Sequence, residues 1–360
     1  MTVNRTIPGS TMWFGASFDP GSGITAEQAN DLQLGAYADG DTNSDCLDFG
    51  TSLSTDASGA DIRGLQTSLY RVTEATECRS AKSYTLDFLP YQVSYPAGTK
   101  IQLVLWEEPP VDGVSGLPAA STSLTWADMG PGSSTPTEIT PGTTWSNAPD
   151  ISQGTFSFHL EPGSVNVFRM PLDWGQHGQV AVKPKAYLDY ESVAAIWVGP
   201  MGGALFEPEL LSLPPNIGTS LDVSYSTDTA AFATPVVSYR ARELDQDDSF
   251  GGVDEAGVPG NYYFVIYLAD NKSTKGGVDA TMQTGYYTDF AVGAPAYKQP
   301  PPAMPQSFVA EGDAAAAGDG DAATDEGPPW PIITMLGGGA AIFAVLGAVA
   351  LGRSRKGGRP

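Results

Sequence analysis

Two histidines, one pair of adjacent glutamates and two acidic loops hold most of the side chains in this 360-residue chain that could do chemistry. His159 and His177 stand without a cysteine or carboxylate at zinc-ligand spacing, which argues against a His-rich zinc site. His159 shares an expected strand with Phe156 and Phe158, where an outward or internally satisfied imidazole is the simpler reading. Glu107 and Glu108 are paired carboxylates of the kind a glycosidase uses. As neighbours on a strand, however, they face opposite sides and cannot flank one glycosidic bond. They read instead as a strand end before the Pro109-Pro110 turn. No Gly-x-Ser-x-Gly elbow, His-Glu-x-x-His helix, phosphate loop or dinucleotide fingerprint occurs. A self-contained enzyme is therefore the weakest reading, with a serine hydrolase built on His177 its remaining form.

The first acidic loop, Asp39 to Asp45, sets oxygen side chains at alternate positions. One turn could then aim Asp39, Asp41, Asn43 and Asp45 at a structural calcium ion. No glutamate completes an EF-hand at the twelfth position, and a solvated Asx-rich turn is the competing reading. The second loop, Asp245-Gln246-Asp247-Asp248 with Asp254-Glu255, offers the same choice between calcium and a solvated hairpin tip. No other cofactor is expected. Trp13, Trp106, Trp145, Trp174 and Trp197 could form an aromatic platform for sugars, but core and turn anchoring is the expectation for most of them.

The elements that would position these residues are short strands. Gly 42, Pro 29 and Tyr 15, with frequent Thr and Val, describe strands joined by tight turns. Apolar or alternating runs mark Ser83 to Leu89, Lys100 to Trp106, Val165 to Leu172, Val180 to Leu188, Ala194 to Val198 and Tyr262 to Leu268. Helical signal is confined to short pieces such as Thr25 to Leu34. Pro8-Gly9-Ser10 before Met12-Trp13-Phe14 returns as Pro162-Gly163-Ser164 before Asn166-Val167-Phe168. Pro96-Ala97-Gly98-Thr99 before one strand is echoed by Val258-Pro259-Gly260-Asn261 before another. The repeat predicts an all-β chain with two tandem sandwiches, at 1–112 and 144–298, joined by a Thr/Ser/Pro/Gly-rich linker at 113–143. Cys46 and Cys78 are the only cysteines. They are read as a disulfide if this part lies outside the cell and as buried thiols otherwise.

The C-terminal end sets location. Residues 299–329 are rich in Pro, Ala, Gly and acid and read as a disordered, self-repelling stalk. Pro331 to Gly352 is 22 residues without a charge, enough to span a hydrocarbon core of about 30 Å. Trp330 marks its outer edge, and Arg353, Arg355 and Lys356 open a basic tail, 353–360, that belongs on the cytoplasmic side. A transmembrane helix at 330–352 with everything before it outside is expected. The opening MTVNRTIPGSTMWFGASF has no charged region followed by an apolar stretch. A leader upstream, a longer parent protein or tail anchoring is therefore expected. Four of the 18 basic residues fall in the last eight positions, so what precedes them carries 14 against 41 acidic ones, a surface that repels nucleic acid. Asn4-Arg5-Thr6 and Asn271-Lys272-Ser273 are formal glycosylation sequons.

Ala148-Pro149, Gly154, Glu161-Pro162-Gly163, Phe168, Gly175-Gln176 and Pro259-Gly260-Asn261-Tyr262-Tyr263 follow a recognisable order. They resemble the opening and closing of secreted bacterial modules of the pre-peptidase C-terminal type. The Leu172 to Gln176 turn, the upstream Trp106 to Pro110 run and the C-terminal apolar segment are similar to actinobacterial surface proteins, some of which also carry a von Willebrand factor A domain. The resemblance covers roughly 142–295 and implies a jelly-roll sandwich with no catalytic residue. The Asp-x-Ser-x-Ser motif of the adhesion domain is missing. The expected function is a membrane-anchored surface protein that binds or spaces, toward cell-wall glycan or another surface protein, without chemistry of its own. The alternative is the C-terminal accessory and anchoring part of a longer secreted hydrolase or receptor.

Overall fold

The computed structural model describes residues 1–18, 32–39, 46–48, 67–72, 76–90, 101–121, 126–143, 145–186, 193–200, 229–243, 254–268, 270, 272, 274–289 and 292–302. Among these the regular secondary structure is almost entirely strand. The segment 330–352, the stalk beyond Pro302 and most of the first acidic loop lie outside them. Among the described residues no helix is long and apolar enough to cross a membrane.

The first half holds β1 (Thr2–Asn4), β2 (Thr11–Phe18), β3 (Leu32–Ala38), β4 (Leu47–Asp48), β5 (Thr67–Val72), α1 (Thr76–Ser80), β6 (Ser83–Pro90) and β7 (Ile101–Glu108). They build two antiparallel sheets, β1-β6-β3 and β4-β5-β2-β7. Val3, Ala36, Tyr84 and Leu86 from the first meet Met12 and Phe14 from the second in one core. The Cys46–Cys78 disulfide lies inside that core, fully enclosed, with Cα atoms 5.4 Å apart. Closing a loop of this length stabilises by roughly 3 to 4 kcal/mol on the chain-entropy account. Leu32–Leu34, expected at the end of a helical piece, instead belong to β3, paired with Phe88 to Pro90; residues 25–31 lie outside the described set. Where α1 ends, Arg5 donates to the carbonyls of Cys78, Arg79 and Ala81, groups a helix C-terminus leaves unmet.

β8 (Val111–Asp112) follows β7 at the end of the first half, and the second half continues with β9 (Thr137–Glu138), β10 (Gly154–Leu160), β11 (Ser164–Leu172), β12 (Gln176–Pro184), β13 (Val193–Val198), β14 (Ala230–Ala233), β15 (Gly260–Leu268), β16 (Val278–Thr288) and β17 (Ala296–Tyr297). A five-stranded sheet, β14-β12-β16-β10-β9, faces a three-stranded one, β11-β15-β13. Phe158, Val180, Val182 and Met282 on the first pack against Phe168, Tyr262, Phe264 and Ile266 on the second. Strand β15 reads GNYYFVIYL because both of its faces are covered, which removes any need for alternation. Trp145 closes its outer side by an edge contact on Tyr263 at 5.0 Å.

The two Pro-Gly-Ser turns are the same turn. Ser10 N donates to Ile7 O and Ser164 N to Glu161 O, with Gly9 and Gly163 at φ 74° and 70°. In each half the strand that precedes the turn joins one sheet and the strand that follows joins the other. The closing order differs, because β6 lies between β1 and β3 and precedes β7, whereas β16 lies between β10 and β12 and follows β15.

Candidate functional site

The Trp106 to Pro110 run ends β7 at the meeting of the two halves, and its two carboxylates go opposite ways. Glu107 turns back to the N-terminal segment. Its oxygens accept from the backbone of Thr6 and Ile7 at 2.9 and 2.6 Å and from the Ser10 hydroxyl at 2.8 Å. Glu108 turns toward the second half and is fully enclosed. It accepts from Trp13 Nε1 at 3.0 Å, from both terminal nitrogens of Arg242 and from the Tyr297 hydroxyl at 2.9 Å. Opposite facing of adjacent strand residues, expected from spacing, is what the structure has.

Arg242 is held from several sides. Its guanidinium sits 3.9 Å from the Tyr239 ring centre and 4.9 Å from that of Trp13, and also donates to Gly257 O. Burial works against this charge, and Glu108 more than offsets it, so the guanidinium stays above its ordinary value. Burial, reinforced by Glu108, raises the Tyr297 hydroxyl far above the usual phenol range and keeps it a donor. Chemically this is a charge-compensated joint: the Glu108 and Arg242 side chains are enclosed and paired with each other, with Tyr239 and Tyr297 half-buried against them.

A second contact set adjoins it. Tyr297 and Ala296 pair with Val111 and Asp112, Lys298 N donates to Pro110 O at 2.8 Å, and Trp106 Nε1 donates to Pro302 O at 3.1 Å. The chain therefore returns to the first half after completing the second. Spacing gave no hint of Arg242, Tyr239 or Tyr297. The available signal was chemical: a basic residue in an acid-rich chain, within Tyr-Arg-Ala-Arg, invites a search for its buried partner.

Of the first acidic loop the structure describes Asp39 alone, with Asp41, Asn43 and Asp45 outside the described residues. Asp39 Oδ1 accepts from the backbone of Ser83 and Lys82 at 2.9 and 3.0 Å, and these bonds, Ser83 first, hold its carboxyl below the usual range. One oxygen of the set is thus already used to start β6. Of the second loop, residues 254–257 form a 3₁₀ turn with Ala256 in the core, and 245–248 lie outside the described residues.

His159 stands outward on β10, its Nδ1 2.8 Å from Asp279 Oδ1. It is the exposed, satisfied imidazole expected. The bond from His159, with Lys185 behind it, holds Asp279 below the ordinary carboxylate value. His177 is enclosed at the start of β12. Trp13, Trp106, Trp145 and Trp197 are all buried, and Trp174 packs against the larger core and Tyr239, so the five do not form an exposed platform.

No family model matches the chain, and no curated protein matches it. Among solved structures it is similar, at TM-score 0.22 and 8% identity, to the secreted serine protease VesC from Vibrio cholerae, covering 79% of this chain and 48% of that one. It is also similar to a structure of infectious bursal disease virus Gt strain, at TM-score 0.14 and 10% identity, covering 81% of this chain and 70% of that one.

Proposed function

We propose that this chain is a membrane-anchored extracellular protein of two jelly-roll-like β-sandwiches that binds or spaces at a bacterial cell surface and carries out no chemistry of its own. One observation carries the reading: the 22 uncharged residues from Pro331 to Gly352, bounded by Trp330 and by Arg353, Arg355 and Lys356. The buried Cys46–Cys78 disulfide agrees with an oxidising compartment. The acidic surface suits a partner that is not a polyanion, with cell-wall glycan or a second surface protein the classes proposed.

Membrane fractionation of cells producing the full chain tests this. The protein is expected to stay with membranes through alkaline carbonate washing and to lose everything before the stalk to protease added outside intact cells. Recovery in the carbonate supernatant, or protection from that protease, would sink the proposal.

A further inference from the structure

The run from Ser133 to Thr143 presents hydroxyl groups that the fold itself does not use. Six of these eleven residues are Ser or Thr, Pro136 and Pro141 lie among them, and Glu138 is the one charge. The backbone is what fastens the run. Ser133 N donates to Thr155 Oγ1 at 2.9 Å, Ile139 N donates to Ser157 O at 3.0 Å, and Gly142 exchanges bonds with Val167 at 3.0 and 2.8 Å. Thr137 and Glu138 pair with Phe156 and Ser157, which places β9 last in the order of the five-stranded sheet. Ile139 packs against the larger core, and Pro136 and Pro141 are half-buried.

Two of the six hydroxyls have internal work. Ser133 Oγ donates to Thr135 O at 3.0 Å and accepts from Thr135 N at 3.1 Å, and Thr143 Oγ1 accepts from Asn147 Nδ2 at 3.3 Å. Ser134, Thr135, Thr137 and Thr140 are exposed, and none of the bonds that fasten the run uses their hydroxyls. An acceptor hydroxyl must stand clear of the surface to enter the active site of a modifying enzyme. These four do, on a run whose prolines cannot donate to a ladder and so keep it from pairing further as a strand.

We propose that Ser134, Thr135, Thr137 and Thr140 form an O-glycosylation site, where a partner transferase links sugar to one or more of the four hydroxyls. Ser and Thr interleaved with Pro is the composition of such segments. The hydroxyl oxygen attacks the anomeric carbon of a sugar phosphate ester, which is the donor. The carbon–oxygen bond to phosphate breaks, its electron pair leaves with the phosphate, and the hydroxyl proton passes to a base of the transferase. Phosphorylation of the same hydroxyls would add about two negative charges beside Glu138, with no Lys or Arg in the run to receive them, whereas a neutral sugar adds none.

The sugar also serves the sheet. A strand at the edge of a sheet is a template for a second chain, and β9 is protected there by shortness and one carboxylate. A bulky, hydrated group on Thr137 bars that addition. The site does not depend on the membrane anchor, and its test reads mass rather than location.

Protein purified from the cells that naturally make it is measured as peptides, with fragmentation that keeps side-chain modifications in place. The expected result is added mass in whole sugar-residue steps, localised to one or more of Ser134, Thr135, Thr137 and Thr140. An unmodified run, a phosphate-sized addition on it, or sugar confined to residues outside it overturns the proposal. The same chain carrying Ser134→Ala, Thr135→Val, Thr137→Val and Thr140→Val, produced in those cells, is expected to lose the added mass from this run completely. Sugar still found on the run in that variant overturns the assignment to these four hydroxyls. The map of the parent decides without any variant, so a variant that fails to fold leaves the test intact.

Discussion

At the scale of single residues, the adjacent glutamates show how one dipeptide can serve two structural ends. Spacing along a strand was enough to deny them a shared substrate, but not to name their partners, which lie 95 to 101 residues before them and 134 and 189 residues after them. Breaking a buried pair is costly because the survivor keeps its charge without a counterpart, at about 3 to 5 kcal/mol. Glu108→Gln and Arg242→Met are each expected to lower stability by that amount, and the double variant by much less than the two together. Denaturant unfolding of the four proteins measures the cycle; strictly additive losses would mean that the two side chains do not act as a pair. His177 was legible as a histidine and nothing more, since its burial leaves no mark on spacing.

At the scale of elements, apolar runs located five of the strands to within a residue or two. β6, β7, β11, β13 and β15 begin and end close to where their runs do, because each buries a continuous face. β12 begins four residues before the expected Val180, at Gln176. His177, Gly178 and Gln179 are buried yet carry no apolar signal. The two-residue strands β8, β9 and β17 owe their form to partners distant in the chain, which no local pattern records. The turn into β12 shows where side-chain size is forbidden. Gly175 has φ 77°, and a Cβ there would stand 2.4 Å from Val292 O and 2.8 Å from Asp289 O. Gly175→Ala is expected to cost about 2 to 5 kcal/mol, from the strained backbone and the overpacking together. Thermal unfolding should show this as a fall of several degrees, and an unchanged midpoint would mean that Asp289 and Val292 are not held against the turn.

At the scale of the whole molecule, the stretch 113–143, read as a linker from its Thr, Ser, Pro and Gly, is bonded to the second pair of sheets at several of its described residues. It supplies β9, the bonds to Gln283 and Thr155, and the Gly142–Val167 bridge. Composition reports how a segment would behave alone, and here backbone carbonyls and amides meet side chains of a sheet they could not have foretold. The return of residues 296–302 to Trp106, Pro110 and Val111 is of the same kind. It also has a mechanical meaning. Both ends of the second half enter and leave at one place on the first, so a pull applied between the N-terminus and the chain beyond Pro302 bypasses the second half until the β8–β17 contact parts. On the tether proposed above, the second half is a load-shielded loop and the β8–β17 contact its fuse. Stretching single molecules from the two termini should show a small first rupture followed by release of the second half. In Trp106→Phe and Tyr297→Phe, which remove the ties to Pro302 and to Glu108 that flank that contact, the first rupture should move to lower force. If the second half extends before any such event, tension runs through it, and the chain transmits force from one sandwich to the next like beads on a string.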